Sequence, residues 1–201
     1  VCRILNETAM LGGAGNVVRN LVALGASVDF VSVVGADDIA ADVEVLLRDL
    51  ADVSHRLAVE KDRPTTSKIR YVAGGQQLLR ADREISTPVS DAVADELAAS
   101  VETALQDAAL LIVSDYAKGV VTDRFAARVI GLARDTGKLV IVDPKSRDFG
   151  RYAGANLITP NLREMSEAAG DEPFSEDDIV AAARRLLSDA GVDAMLVTRG
   201  A

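Results

Sequence analysis

Four short apolar runs, each ending on polar residues, constrain this chain more than any other feature. Leu110–Val113 leads into Ser114 and Asp115, and Leu139–Val142 leads into Asp143, Pro144 and Lys145. Leu157 and Ile158 lead into Thr159, Pro160 and Asn161, and Met195–Val197 leads into Thr198 and Arg199. The runs are rich in Val, Ile and Leu, with helical patterns between them. Strands of a parallel sheet covered on both faces read this way. In such sheets ligands bind beyond the carboxyl ends of the strands. The polar residues are therefore expected to gather on one rim.

The remaining pattern gives a three-layer α/β/α architecture, mostly parallel, with a small antiparallel flap. Arg3–Asn6 reads as a short strand, and Val17–Leu24 as the body of a helix stopped by Gly25. Val28–Val34 is a strand and Asp37–Leu50 a helix. Residues 54–84 break the rhythm. Arg56–Glu60, Ser67–Ala73 and Gln76–Asp82 are expected as strands of the flap, with Gly74 and Gly75 as the hairpin turn. Helices are expected over Ser90–Asp107, Thr122–Asp135, Asn161–Ala169 and Ser175–Ala190, with Ser90 and Ser175 as N-caps. The strands between them fall at 110–114, 139–143, 156–159 and 194–198. The whole of 1–201 reads as one domain, with flap strands at about 1–6 and 54–84.

Composition removes several function classes. Charged residues make up 26% and hydrophobic residues 49%, which is a globular balance. The net charge of −9 disfavours a broad nucleic-acid surface. It leaves room for a small phosphorylated substrate, which needs only local cations such as Arg70, Arg80, Arg83, Lys118 and Lys145. No apolar run approaches a membrane span, and Val1–Met10 lacks the form of a secretory signal. One Cys and one His argue against a disulfide and against a His/Cys zinc site. Cys2 has no local base and His55 reads as ordinary surface. A cytoplasmic protein is expected.

Each polar motif carries two readings. Gly12-Gly13-Ala14-Gly15-Asn16 could bring backbone and the Asn16 amide close to a ligand, or be a plain turn capped by Asn16. It is not a dinucleotide fingerprint. Asn161 and Glu164 could lie beside a metal-bound phosphate, or form a capping box. Asp143 and Lys145 could serve a polyphosphate and its Mg²⁺, or form a surface pair. Asp115 could bind a sugar hydroxyl and Lys118 a phosphate, or both could sit in a solvated loop. In the flap, alternation places Gln76, Leu78, Arg80 and Asp82 on one face. That polar face suits a sugar, although an exposed sheet face would look alike.

These residues resemble the ribokinase-like (PfkB) carbohydrate kinases. Gly12–Asn16, followed by Gly25 and Gly35, looks like the family's first signature, with Val18 where a small residue is usual. The ordered series 64–68, 76–80, 114–119, 143–145, 148–149, 151–152, 154–155 and 159–164 is most similar to the heptose 7-phosphate kinases. The resemblance implies ATP-dependent, Mg²⁺-assisted phosphorylation of a sugar at C1, the sugar being D-glycero-D-manno-heptose 7-phosphate. That product is used in making activated heptose for surface polysaccharide. It implies an ATP site at Asn161, Leu162, Arg163, Glu164, Lys145 and Thr198, with Glu164 and Asp143 as metal candidates. Gly12, Gly13, Asn16, Gln76, Arg80, Asp115 and Lys118 would face the sugar phosphate. A homodimer through the flap is implied as well, with neither nucleic acid nor membrane as partner. The family's catalytic Asp, in a Gly-Ala-Gly-Asp motif, is expected beyond Ala201, so the chain reads as an inactive kinase fragment. Two alternatives stay open: another sugar or nucleoside kinase of this family, or a non-catalytic sugar-phosphate-binding module.

Overall fold

A computed structural model describes residues 3–171 and 175–200; Cys2 lies outside them. The chain divides into two compact units, Val1–Ile85 and Ser86–Ala201.

In the first unit α1 (Ala14–Ala23) precedes β1 (Val28–Val34), and α2 (Asp38–Arg48) crosses over to β2 (Val53–Val59). β1 and β2 pair in parallel, Val28 opposite Val53 and Val34 opposite Val59. β2 was expected in the antiparallel flap. It joins the parallel pair instead, because a helix of eleven residues separates it from β1, and a crossover of that kind returns the chain in the same direction. The flap is the hairpin of β3 (Ser67–Ala73) and β4 (Gln76–Arg83) alone. Gly74 and Gly75 turn it with φ of 57° and 80°, the sign a two-residue turn of this hand requires. The strand expected over Arg3–Asn6 is absent: residues 3–12 carry neither helix nor strand.

One latch joins the end of β1 to the approach to the flap. The Asp37 carboxylate caps α2 by accepting from the Ala40 amide at 3.1 Å, and its other oxygen accepts from the Thr65 amide at 2.9 Å. The buried Thr65 hydroxyl accepts from the Gly35 amide at 2.9 Å. Gly35 has no alternative there, since a Cβ would stand 2.1 Å from the Arg63 carbonyl oxygen.

The second unit is a four-stranded parallel sheet in the order β5-β6-β7-β8, with β5 Leu110–Ser114, β6 Leu139–Asp143, β7 Leu157–Ile158 and β8 Ala194–Met195. Its helices are α3 (Asp91–Ala104), α4 (Asp123–Asp135), α5 (Leu162–Ala169) and α6 (Glu176–Ala190), with a 3₁₀ turn at Phe149–Tyr152. Caps foreseen from the sequence form here. The Ser90 hydroxyl accepts from the Val93 amide, and Ser175 with Asp178 makes a capping box; Thr122, expected as the first helical residue, instead caps α4 by accepting from the Phe125 amide. Val140, Val142 and Ile158 of the sheet are fully buried, as are Leu97, Val129, Ile130 and Met165 of the helices. β8 is shorter than the expected 194–198. Pro160 lacks the amide that would bond to it, and pairing resumes only as a single bridge between Asn161 and Thr198.

The latch carries a pH signature. The hydrogen bond from the Thr65 hydroxyl, against some burial, holds the Asp37 carboxyl below its usual value of 3.8. Its stabilisation is therefore present above that value and is lost as pH falls through the lower folded value. Asp37→Ala should cost about 1 kcal/mol at neutral pH, the usual worth of an N-cap. Thermal melts should show the gap to wild type narrowing as pH falls below the carboxyl's usual value; a gap that stays constant would count against the latch.

Candidate active site

The carboxyl rim of the second unit's sheet collects most of the polar residues that end the apolar runs. Parallel register sets Ser114 opposite Asp143, and the Asp115 amide donates to the Asp143 carbonyl at 3.0 Å. Beyond Pro160, Asn161 bridges to Thr198. The Thr198 amide donates to the Pro160 carbonyl at 3.0 Å, and its carbonyl accepts from the Leu162 amide at 2.9 Å. Four sequence-distant segments thus meet through backbone pairing alone.

Both readings of Asn161 and Glu164 hold together. The Asn161 side chain accepts from the Glu164 amide at 2.9 Å, and Glu164 Oε2 accepts from the Asn161 amide at 3.0 Å, closing a capping box on α5. Glu164 Oε1 is left over, and it accepts from the Lys145 ammonium at 2.6 Å. Lys145 thereby spans from the end of β6 to the start of α5. In the first turn of α5 the Leu162 and Glu164 amides are committed, while the Arg163 amide has no acceptor among the described residues. Its guanidinium runs down the helix to Glu167 at 2.9 Å.

The rim is electrostatically tense. Burial raises the Asp143 carboxyl above its usual range, and the charges of Glu164 and Asp115 push it further, with Lys145 opposing. The hydrogen bond to Glu164 raises Lys145, so it stays protonated. Among the described residues no three His, Cys, Asp or Glu side chains cluster tightly enough to cage a metal. Mg²⁺ bound to a nucleotide needs no cage: one or two carboxylates suffice, with phosphate oxygens and waters completing the shell. Asp143 and Glu164, two carboxyl groups that repel one another, fit that requirement.

Asp115 is buried, and its carboxylate is occupied. Oδ1 accepts from the Ala117 amide at 2.7 Å and Oδ2 from the Tyr152 hydroxyl at 2.7 Å, with Arg151 Nη1 at 3.7 Å. Lys118 is partly exposed in the same loop. Tyr152 carried no chemistry in the sequence reading. The only sign available was an aromatic residue at the end of a short turn in a chain with few aromatics.

The remaining expected residues lie in the first unit. Gly13, not Asn16, caps α1, with φ of 53° and no side-chain bond. Asn16 is exposed, and Val18 fills the core under α1. In the flap a bulge at Leu78 sets two residues of β4 against Tyr71 and breaks the expected alternation. Register places Lys68 opposite Asp82 and Arg70 opposite Arg80, whereas Ile69 faces Ala81 and Tyr71 faces Leu79. One face is thus charged and the other apolar. Arg80 Nε lies 3.0 Å from Asp82, and Gln76 is exposed at the turn.

Residues 6–201 match the model of the pfkB family carbohydrate kinases. The chain belongs to that family. It is 48% identical over 196 residues to the bifunctional protein HldE of Paramagnetospirillum magneticum, covering 98% of this chain and 40% of that protein. The HldE proteins of Rhodospirillum rubrum and Caulobacter vibrioides are 44% and 46% identical, covering 99% and 100% of this chain and 40% and 41% of theirs. The chain therefore spans about two fifths of the length of these curated relatives. Among solved structures, phosphofructokinase-2 from Escherichia coli superposes with a TM-score of 0.74 at 20% identity, over 98% of this chain and 68% of that one. A carbohydrate kinase from Agrobacterium tumefaciens gives 0.64 at 21%, over 94% and 59%. Those two likenesses establish the ribokinase-like fold. PfkB carbohydrate kinases use ATP, generally with Mg²⁺. No helix among the described residues is long and apolar enough to cross a membrane.

Tyr152 gives a spectroscopic check on this site. Burial, and then its hydrogen bond to Asp115, push its phenol well above the usual tyrosine value of 10.0. In an alkaline absorbance titration its share of tyrosinate should appear only as the protein unfolds. Tyr152→Phe should leave the folded-state amplitude unchanged; a smaller amplitude would place the hydroxyl in solvent.

Proposed function

We propose that this chain is the sugar-kinase part of an enzyme that phosphorylates D-glycero-D-manno-heptose 7-phosphate at C1, in the cytoplasm, on the route to activated heptose for lipopolysaccharide. The observation that carries this reading is the Lys145–Glu164 pair at the N-terminus of α5, in a chain nearly half identical to an HldE protein. Phosphoryl transfer depends mainly on positioning and charge neutralisation.

In this reading Lys145, Thr198 and the Arg163 amide receive the phosphates of ATP at the positive end of α5. Leu162 shapes the same turn, and Asn161 holds it through the capping box. Asp143 and Glu164 would hold Mg²⁺, which when bound would supply charge neutralisation at the transferring phosphoryl group. Lys145, held beside Glu164, would present its ammonium to the nucleotide phosphates. No residue of this chain is assigned as the base that accepts the sugar's proton.

The sugar phosphate is assigned to Gly12, Gly13, Asn16, Gln76, Arg80 and Lys118. Arg70 and Arg80 stand directly opposite each other in the hairpin. Like charges so placed are destabilising, and a bound phosphate would reverse that cost. The other hairpin face leaves Ile69, Tyr71 and Leu79 exposed. A lone two-stranded hairpin is marginal in water, which supports pairing of this face with a second copy of the chain.

The deciding experiment is ADP release from Mg-ATP by the full-length gene product, with the heptose 7-phosphate against fructose 6-phosphate. Preference for fructose 6-phosphate, or no turnover by folded protein, would reject the assignment. Arg80→Ala should raise the KM for the heptose phosphate about tenfold or more, the worth of one hydrogen bond to a charged group. Leu79→Asp should convert a sedimenting dimer to monomer, and an unchanged sedimentation coefficient would rule out the flap as the interface.

A further inference from the structure

Among the described residues of the second unit the Asp115–Tyr152 pair is the most completely buried polar contact, and the kinase chemistry just assigned does not use it. Tyr152 has 0% exposure and Asp115 3%. A tyrosine hydroxyl both donates and accepts, and here it does both. It donates to Asp115 Oδ2 at 2.7 Å and accepts from the amides of Lys145 at 3.3 Å and Ser146 at 3.2 Å. Those two amides belong to the turn that carries Lys145 away from β6. Buried Pro144 precedes them and has no amide to offer. The phenol oxygen is thus the acceptor that fixes the turn.

Each neighbour of the phenol is fixed in its turn. Asp115 is tied to β6 through its amide on the Asp143 carbonyl at 3.0 Å. Its second oxygen holds the Ala117 amide, and Ala117 sits at φ 52°, a left-handed conformation that alanine adopts only when held there. Arg151, next to Tyr152, approaches Asp115 at 3.7 Å and reaches Asp123 and the Val121 carbonyl as well. The 3₁₀ turn carrying Tyr152 is closed by Asp148, whose carboxylate accepts from the Gly150 amide at 2.9 Å. A chain of short contacts therefore runs from the β5 loop through Asp115 and Tyr152 to the backbone of Lys145, and from the Lys145 ammonium to Glu164.

We propose that Tyr152 and Asp115 are positioning residues that fix the 144–146 turn and so aim Lys145 at Glu164 and the nucleotide phosphates. The inference rests on the ATP-site reading above and departs from the sugar-binding role that the family resemblance implies for Asp115. Asp115 then serves the nucleotide side indirectly, and is not a ligand for the sugar. A carboxylate in direct contact with substrate would need a free, accessible oxygen, and both oxygens of Asp115 are buried and bonded.

The test uses Tyr152→Phe, Asp115→Asn and the double variant in the full-length gene product, with two measurements. Hydrogen exchange at the Lys145 and Ser146 amides should quicken in both single variants by about tenfold, the usual effect of one lost hydrogen bond, with α3 and α6 unaffected. In steady-state kinetics the KM for Mg-ATP should rise by a similar factor. The KM for the sugar phosphate should stay within about twofold, and the double variant should be no worse than Tyr152→Phe alone, because residues acting through one another are not additive. Unchanged exchange at 145–146 would overturn the proposal. So would a rise confined to the sugar KM, or independent effects in the double variant. If the wild-type protein phosphorylates no sugar, the kinase reading fails on that result, and the exchange measurement still decides whether the phenol holds the turn.

Discussion

Everything at the candidate site follows from one constraint: a parallel ladder hides its middle and exposes its ends. β6 buries Val140 and Val142 completely, so only its last residue and the turn after it can carry chemistry. The same holds for β5, which ends at Ser114 beside Asp143, and for β7, which stops two residues before the cap of α5. In-register pairing then sets Asp115, Asp143, Lys145, Asn161 and Thr198 along one edge. No side-chain contact is needed to gather them. Side chains refine the arrangement, and the strongest refinement is the Lys145 ammonium shared with Glu164.

Capping and phosphate recognition draw on the same atoms, and the structure shows how they coexist. A capping box consumes one helix amide and one carboxylate oxygen. Glu164 has a second oxygen, so it can finish the cap and still present charge outward. Asn161 spends its side-chain oxygen on the Glu164 amide, and the cap leaves its Nδ2 group as a donor. Both residues thus finish the cap with one atom and keep another for chemistry. Asp143 gains its raised carboxyl from the same crowding. A divalent cation would relieve that repulsion more effectively than the single ammonium of Lys145.

Local signals in the sequence were legible and long-range ones were not. Caps such as Ser90, Asn161 and Ser175 depend on residues within four positions, and they form as read. The four apolar runs identified the ladder of the second unit because burial on both faces writes itself into composition. β2 was misplaced because its alternation reports one exposed face and says nothing about its partner. The flap's face assignment failed at Leu78, since a bulge adds a residue without altering the pattern of residue types. Arg3–Asn6 resembled a strand by propensity, but a strand requires a neighbour, and none pairs with it. Tyr152 was invisible as a site residue for a related reason. Its importance lies in what its hydroxyl touches 6, 7 and 37 positions away.

A chain with net charge −9 is a poor attractor of ATP at long range. Salt screens that repulsion within about 8 Å under physiological conditions, so recognition has to be local. On the proposed reading, the rim meets this need by keeping its cation in position rather than by adding cations. Lys145 is half exposed, and a free lysine of that kind would sample many rotamers and lose entropy on binding. Its tether to Glu164 removes part of that loss beforehand, provided the backbone beneath it stays fixed. The buried phenol of Tyr152 meets that condition by holding the Lys145 and Ser146 amides, so on the proposed reading the Asp115–Tyr152 contact is a matter of recognition as much as of stability.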